Sequence, residues 1–397
     1  MKSCIAVPEI ILPAEGIDPS KWAVIACDQH TSDPAYWEEL EALVGDSPST
    51  LRLTLPEIYL SSPDCDARIA NICEEMSRYR REGLLRKLPK GFVLVTRKTP
   101  YSSPRTGLVL SVDLEEYSYL PDSKTRIRAS EATILERIPP RLKIREKVEL
   151  EFPHIMLLYN DPLDIVLGPL KNADLPVLYD FSLNMGGGSV CGRFVSETQE
   201  VISRFEALVK DGLLFMVGDG NHSLATAKAA WEKIKPTLSA SERETHPARY
   251  ALCEAVNLYD EGIRFEAIHR LVKGVNAQEF ARSFRTTGGT GRGTMYIGGE
   301  GQEIPLPASV PLAVAETDCA IAAYLEVRGG SVDYIHGEDA LRKLTQKHAD
   351  YVGIALPKMQ KSEMFAYVAA HGCLPRKTFS MGESEEKRYY IEGKEIR

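Results

Sequence analysis

The run Gly218-Asp219-Gly220-Asn221-His222-Ser223 holds the residue types from which an anion site can be built. Gly218 and Gly220 permit backbone conformations closed to other residues and let a ligand approach the main chain. Asp219 or Asn221 can cap a following helix, whose exposed N–H groups and positive dipole end attract phosphate. His222 and Ser223 add donors on the first turn, and histidine can transfer protons near neutral pH. The same six residues also fit a plain capped helix start with a surface histidine.

Other segments could supply charge to such a turn. Lys124-Thr125-Arg126-Ile127-Arg128-Ala129-Ser130-Glu131 is dense in Arg, the side chain suited to bidentate phosphate contact, and Glu131 could act as a base. Its bland reading is a solvated helix face. Leu374 to Glu383 contains Arg376, Lys377 and Thr378 in a loop context, which favours binding over packing. His269-Arg270 is a weaker pair of the same kind. Asp28 and His30 follow an apolar run and could supply a base or cap a turn, and Met185 to Gly192 reads as a lid or an ordinary loop.

Several familiar chemistries lack their residues. The chain has no G-x-x-x-x-G-K-[ST], no G-x-G-x-x-G and no H-E-x-x-H, and Gly187-Gly188-Ser189-Val190-Cys191 fails the nucleophile-elbow pattern at its last position. P-loop kinases, standard dehydrogenases, zinc proteases and α/β-hydrolases therefore find no support.

Stepping out to the elements that must hold these residues, the 397-residue chain is long enough for two or three folding units. With 44% hydrophobic and 26% charged residues it can bury a large core. Its 48 Lys and Arg against 56 Asp and Glu give a net charge of −8, which argues against broad nucleic-acid binding. The eight cysteines are scattered without C-x-x-C or zinc-finger spacing, as in a reduced protein. Pro8, Glu9 and Pro13 interrupt any leader-like apolar stretch, and no run approaches a membrane span, so the expectation is a cytoplasmic protein without a membrane partner.

Short apolar runs at 22–27, 91–96, 107–112, 154–159 and 177–181 read as strands, and Asp33-Pro34 starts a helix. In the second half, Leu213–Val217 is a strand whose glycine turn enters an Ala-rich helix ended by Pro236. Residues 251–258, 332–335 and 351–356 are strands, 286–301 is a mobile loop or hairpin, and Ser362 caps a helix that stops at Gly372. This alternation predicts an α/β to α+β fold with mixed sheets and flanking helices. The expected division is an N-terminal α/β domain over 1–200 and a C-terminal α/β domain over 201–397 that carries the turn.

Six phrases resemble the signature stretches of domain-of-unknown-function family 1015. They are Arg128-Ala129-Ser130-Glu131, Met185-Gly186-Gly187-Gly188, Gly218-Asp219-Gly220-Asn221-His222, Ile268-His269-Arg270, Asp333-Tyr334-Ile335-His336-Gly337 and Leu374-Pro375-Arg376-Lys377-Thr378. Many members carry Asp-Gly-His-His-Arg at the turn, whereas Asn221 and Ser223 stand here in place of one His and the Arg. The turn is in addition similar to the helix start of the ParB/sulfiredoxin-like superfamily, which includes partition CTPases, sulfiredoxin and a free-serine kinase. That resemblance implies a ParB/sulfiredoxin-like core whose turn binds nucleotide phosphates.

The leading expectation is an enzyme of phosphoryl transfer, a kinase or phosphatase, acting to or from a small hydroxy amino acid such as serine. Gly218, Gly220 and Asn221 would hold phosphates, and Arg126, Arg128, His269, Arg270, Arg376, Lys377 and Thr378 would neutralise charge. His222, Asp219 or Glu131 would serve in catalysis, with Mg²⁺ arriving with ATP or ADP. The partner would be a small phosphorylated molecule or nucleotide. The alternative is a nucleotide-responsive regulatory or binding protein without turnover.

Overall fold

The computed structural model describes residues 3–382 and 386–397. Glu383, the last residue of the Leu374–Glu383 stretch, lies outside them. The chain divides into two compact units, one of Met1–Ile263 with Glu383–Arg397 and one of Arg264–Gly382. Residue 200, where the sequence suggested a boundary, falls within the first unit, inside a helix over Thr198–Glu206. Strands on either side of it join one sheet, which is why no division occurs there.

The first unit is built on a mixed sheet. Its strands are β1 (Ile5–Ala6), β2 (Phe92–Lys98), β3 (Arg105–Asp113), β4 (Tyr117–Ser118), β5 (Ile127–Ala129), β6 (Met156–Tyr159), β7 (Val177–Ser182), β8 (Ser189–Val195), β9 (Phe215–Asp219) and β10 (Tyr250–Asn257). They lie in the order β7-β8-β2-β3-β10-β6-β9-β5-β4, with β1 added along β3. The pairs β10/β6, β9/β5 and β5/β4 are parallel, and β6/β9 is antiparallel. Both faces of the central strands are covered: β3 is buried at all nine positions, with its polar residues near its ends and at Ser111, and β6 at all four.

The expected Ala-rich helix is α5 when the helices Pro34–Val44 (α1), Cys65–Arg81 (α2), Ile138–Arg145 (α3), Thr198–Glu206 (α4) and Asn221–Ile234 (α5) are numbered in order. It lays Leu224, Ala227 and Trp231 against the sheet. Asp33 caps α1 by accepting from the Tyr36 N–H, and Pro34 takes the first turn, where its missing donor costs nothing. The Met185–Gly188 run is a hairpin turn between β7 and β8. A Cβ on Gly187 would meet the Tyr389 hydroxyl at 2.5 Å, and Gly188 has φ +78° with the Lys98 carbonyl oxygen 2.0 Å from where its Cβ would be. Packing thus explains these glycines.

The second unit is an antiparallel sheet of β11 (Phe265–Lys273), β12 (Gly291–Ile297), β13 (Glu300–Leu306), β14 (Ser331–His336), β15 (Tyr351–Ala355) and β16 (Phe379–Met381). The order is β13-β12-β15-β11-β14, with β16 along the start of β11. The expected loop or hairpin at 286–301 contains β12, which turns at Gly298-Gly299 into β13. The helix over Lys361–His371 ends at Gly372 as expected, but its start follows Gln360 and has no side-chain cap, so Ser362 does not cap it.

After the second unit the chain returns to the first. Tyr389–Tyr390 pairs with Val24–Ile25, and Lys394–Glu395 pairs with Leu150–Glu151. Just before Tyr389, Arg388 is 6% exposed and is ion-paired with Glu254 of β10 and with Glu392, themselves buried. Breaking such a buried pair from one side leaves uncompensated charge, at about 3–5 kcal/mol. Arg388→Met is therefore expected to lower the stability of the first unit by that order in urea unfolding at neutral pH. The deficit should shrink on acidification, as Glu254, whose pKa burial raises and Arg388 otherwise lowers, becomes able to protonate; a pH-independent loss under 1 kcal/mol would contradict the assignment.

Candidate functional site

The glycine turn stands at the carboxyl end of β9, where α5 begins. Gly220 has φ +77°, the left-handed region glycine enters without penalty. It is needed sterically as well, since a Cβ there would lie 3.0 Å from Ile155 Cα and 3.4 Å from His154 Cδ2. No side chain caps α5. Asp219 instead folds back, accepting from the Gly220 N–H at 2.9 Å, while its other oxygen lies 3.0 Å from Lys387 Nζ. Asn221 Nδ2 points to Ser130 Oγ at 3.5 Å, and its Oδ1 is buried with no hydrogen-bond partner among the described residues.

Because β6 runs antiparallel to β9 with Met156 opposite Asp219, the residues just before β6 reach the turn. His154 Nε2 lies 3.3 Å from Asp28 Oδ2 and 3.3 Å from Ser223 Oγ on the first turn of α5. Its Nδ1 lies 3.0 Å from the Tyr390 hydroxyl. That hydroxyl accepts from the Cys27 N–H at 3.0 Å and donates to Cys27 Sγ at 2.8 Å. An imidazolium at His154 would donate from Nε2 toward Asp28 and from Nδ1 to the Tyr390 oxygen.

The electrostatics agree. Burial alone would lower the His154 pKa, but the charge and hydrogen bond of Asp28, with Asp219 and Glu57 adding, raise it above the usual imidazole value. Burial would raise that of Asp28; the charge and hydrogen bond of His154, then Gln29 and Lys387, hold it well below the carboxylate range. Burial would also lower Lys387, yet Asp219 and Asp28 raise it. Two carboxylates and two cations thus form one interacting group. The Cys27 thiol is pushed by burial up to about 12, so it is no thiolate nucleophile.

Asp28, His154 and Ser223 are the residue types of a hydrolase triad, but the arrangement is different. In a triad the serine and the acid sit on opposite ring nitrogens. Here both are on Nε2, so the histidine is not set to take a proton from Ser223.

Of the residues singled out from sequence, Asp219, Gly218, Gly220, Asn221 and His222 share this turn. His222 Nε2 accepts from the Ile134 N–H at 3.4 Å. Glu131 follows Ser130 just past the end of β5, the strand parallel to β9. Arg126 lies before β5, beside Phe215 at the start of β9, and hydrogen-bonds Glu206 at 2.9 Å. That is the far end of β9 from the turn, about 13 Å at ~3.3 Å per residue. Arg128 is buried within the sheet and donates from Nε to the Thr125 carbonyl.

His269, Arg270, Arg376, Lys377 and Thr378 belong to the second unit. Arg270 is 0% exposed, paired with Asp318 and donating to the carbonyls of Ile268, Arg376 and Lys377. His269 Nδ1 accepts from the Leu356 N–H, and burial lowers its pKa. Thr378 donates to the Pro375 carbonyl. These bonds tie the loop 374–378 to β11. His30, the other residue considered as a base, stacks on Tyr36 with ring centroids 3.6 Å apart.

Sequence reasoning missed His154 and Lys387. The only signal for His154 was its place at the start of an apolar strand, and Lys387 sits in an ordinary charged run. Among the described residues no group of three or more His, Cys, Asp or Glu side chains could hold a metal ion, so Mg²⁺ would have to come with phosphates and take one or two carboxylates here. Among them, too, no helix is long and apolar enough to cross a membrane.

The Asp28–His154 pair gives a pH signature. Its depressed Asp28 contributes stability above the ordinary carboxylate pKa, lost as pH falls further; its raised His154 contributes below about 6.5, lost as pH rises through the raised value. Wild-type stability should therefore fall from pH 6 toward pH 9, and His154→Gln should flatten that decline. Asp28→Asn should cost less than the ~3–5 kcal/mol of a fully buried pair, because Asp28 keeps 26% of its side chain exposed. Urea midpoints at the two pH values check this; an equal slope in His154→Gln would refute it.

Comparison with known proteins adds the following. No curated protein matches the chain. Among solved structures, a mutant free serine kinase in complex with ADP is similar over 76% of this chain and 95% of its own, with TM-score 0.40 and 9% identity. SbnI from Staphylococcus aureus with a C-terminal truncation is similar over 71% and 85%, with TM-score 0.36 and 11% identity. A conserved hypothetical protein from Pyrococcus furiosus is similar over 76% and 97%, with TM-score 0.35 and 10% identity. The model of the family described as a protein of unknown function, DUF1015, matches residues 11–372, and the chain belongs to that family.

Proposed function

We propose that the first unit binds a phosphate group, alone or in a nucleotide, at the start of α5 and transfers a phosphoryl group to or from a small hydroxyl compound. A hydroxy amino acid such as serine is the compound the superfamily resemblance suggested. The observation that carries the reading is the uncapped, glycine-led N-terminus of α5 with Lys387 and a histidine whose pKa Asp28 raises beside it. Oriented amides and the helix dipole favour an anion there, and phosphoryl transfer needs positioning and charge neutralisation above all.

In this reading Lys387 leaves Asp219 for the incoming phosphate, and the Asp219 carboxylate becomes available to the hydroxyl of the second substrate or to a cation travelling with the phosphates. Gly218, Gly220 and Asn221 line the phosphate, with His222 and Glu131 at its edge. His154 contributes fixed positive charge. Binding without turnover, the regulatory alternative, would use the same anion site.

Thermal shift with ATP, ADP, AMP, CTP, inorganic phosphate and phosphoserine, each with and without Mg²⁺, tests the site. At least one should stabilise the protein by mass action, and Lys387→Met should abolish that shift. Silence from all of them at millimolar concentration would end the proposal. Product assays with the stabilising ligand then separate enzyme from sensor. Asp219→Ala should cut turnover about 10²–10⁴-fold, the range for loss of a positioned base.

A further inference from the structure

His154 and Ser223 line a cavity of about 150 Å³. Tyr390 and Cys27 line it as well. The rest is largely aliphatic and aromatic, with Leu53, Leu55, Leu60, Ile144, Val148 and Phe152 among its walls. Two arginines reach it, and both are committed. Arg141 is ion-paired with Glu57 and donates to the Arg137 carbonyl, and Arg145 is ion-paired with Glu151. Glu57 and Glu151 line the same space, so the charges of the wall are balanced within it.

From this cavity we infer the class of the second substrate: an uncharged, mainly apolar molecule of about benzene size that bears one hydroxyl. This rests on the proposed phosphoryl transfer for its chemical role, but the binding claim stands on the cavity itself. Size is the first argument, because a cavity of about this volume with apolar walls takes up one benzene-sized guest. Charge is the second. A zwitterion such as serine would bring an ammonium and a carboxylate against groups already paired with each other, and burying either charge without a partner is costly. A hydroxyl needs one partner, which Ser223 supplies.

In the proposed transfer the hydroxyl oxygen attacks phosphorus as its proton passes to Asp219, and the bond from phosphorus to the leaving oxygen breaks, with that oxygen keeping the electron pair. The reverse reaction runs from the phosphate ester with a nucleoside diphosphate as acceptor; with water as acceptor the ester is hydrolysed.

Benzyl alcohol, L-serine, toluene and inorganic phosphate serve as probes in titrations of the whole protein followed by ligand-observed NMR and calorimetry. Benzyl alcohol is expected to bind at least about tenfold more tightly than serine, as the cost of burying unpaired charge implies. Leu60→Trp and Ile144→Phe, which fill the cavity, should each weaken benzyl alcohol about tenfold and leave any phosphate binding unchanged. Ser223→Ala should weaken benzyl alcohol about fivefold, the worth of one hydrogen bond, and spare toluene. Serine binding as tightly as benzyl alcohol, or benzyl alcohol unaffected in a folded cavity-filled variant, overturns the inference. Thermal melts identify which variants fold, and the wild-type comparison of serine with benzyl alcohol decides the matter if neither does. Benzyl alcohol binding in a protein that ignores phosphate would sustain the cavity and refute the transfer.

Discussion

A guanidinium withdrawn from water sets the terms for the first unit. Arg388 can be buried only because Glu254 and Glu392 meet it and the Pro153 carbonyl accepts from its Nε. Each desolvated charge costs several kcal/mol, and good geometry with additional hydrogen bonds is what offsets it. The partners are held as tightly as the arginine. Glu254 lies against Gly107, where a Cβ would come within 2.3 Å of its Oε1, and the Tyr179 hydroxyl donates to Glu392. One consequence is positional. With Arg388 pinned beside β10, Lys387 is delivered to Asp219 and Tyr390 to His154.

The site inherits its character from that delivery. Asp28 and Asp219 come from the first unit's own loops and strand ends, and a cation arrives for each. The four charges nearly cancel while the site holds no anion, which lets them sit together half-buried. Adding a phosphate changes the balance toward negative, so a bound anion would compete with the carboxylates for Lys387 and His154. In the proposed reading the site would answer an anion by exchanging partners, without a large movement of the sheet.

Much of the framework was legible in the sequence because it is local. The apolar run before Gly218 is a strand, the glycine turn opens a helix that Pro236 follows, and Asp33-Pro34 starts another. The ligand-facing half was harder to see for the opposite reason. Arg388 finds Glu254 across 134 residues and Lys387 finds Asp219 across 168, and such pairings leave no periodicity behind. Charge also misled in one consistent way. Arg270 and Arg126 look like anion binders in a linear reading, but Arg270 is consumed by Asp318 and loop carbonyls and Arg126 by Glu206. A buried arginine and a ligand-binding one have the same letter.

The late return of the chain to the first unit has a bearing on synthesis. Residues 264–382 form a separate unit between the sheet and the segment that completes it. On a ribosome adding ~5–20 residues per second, the 134 residues from Glu254 to Arg388 take about 7–27 s to make. Throughout that interval Glu254 of the central strand has Arg105 near it but lacks Arg388, its hydrogen-bonded partner. The sheet of the nascent first unit is thus held short of its final state while the whole second unit is made, and closure of the fold and assembly of the Lys387–Asp219 contact become the same late event.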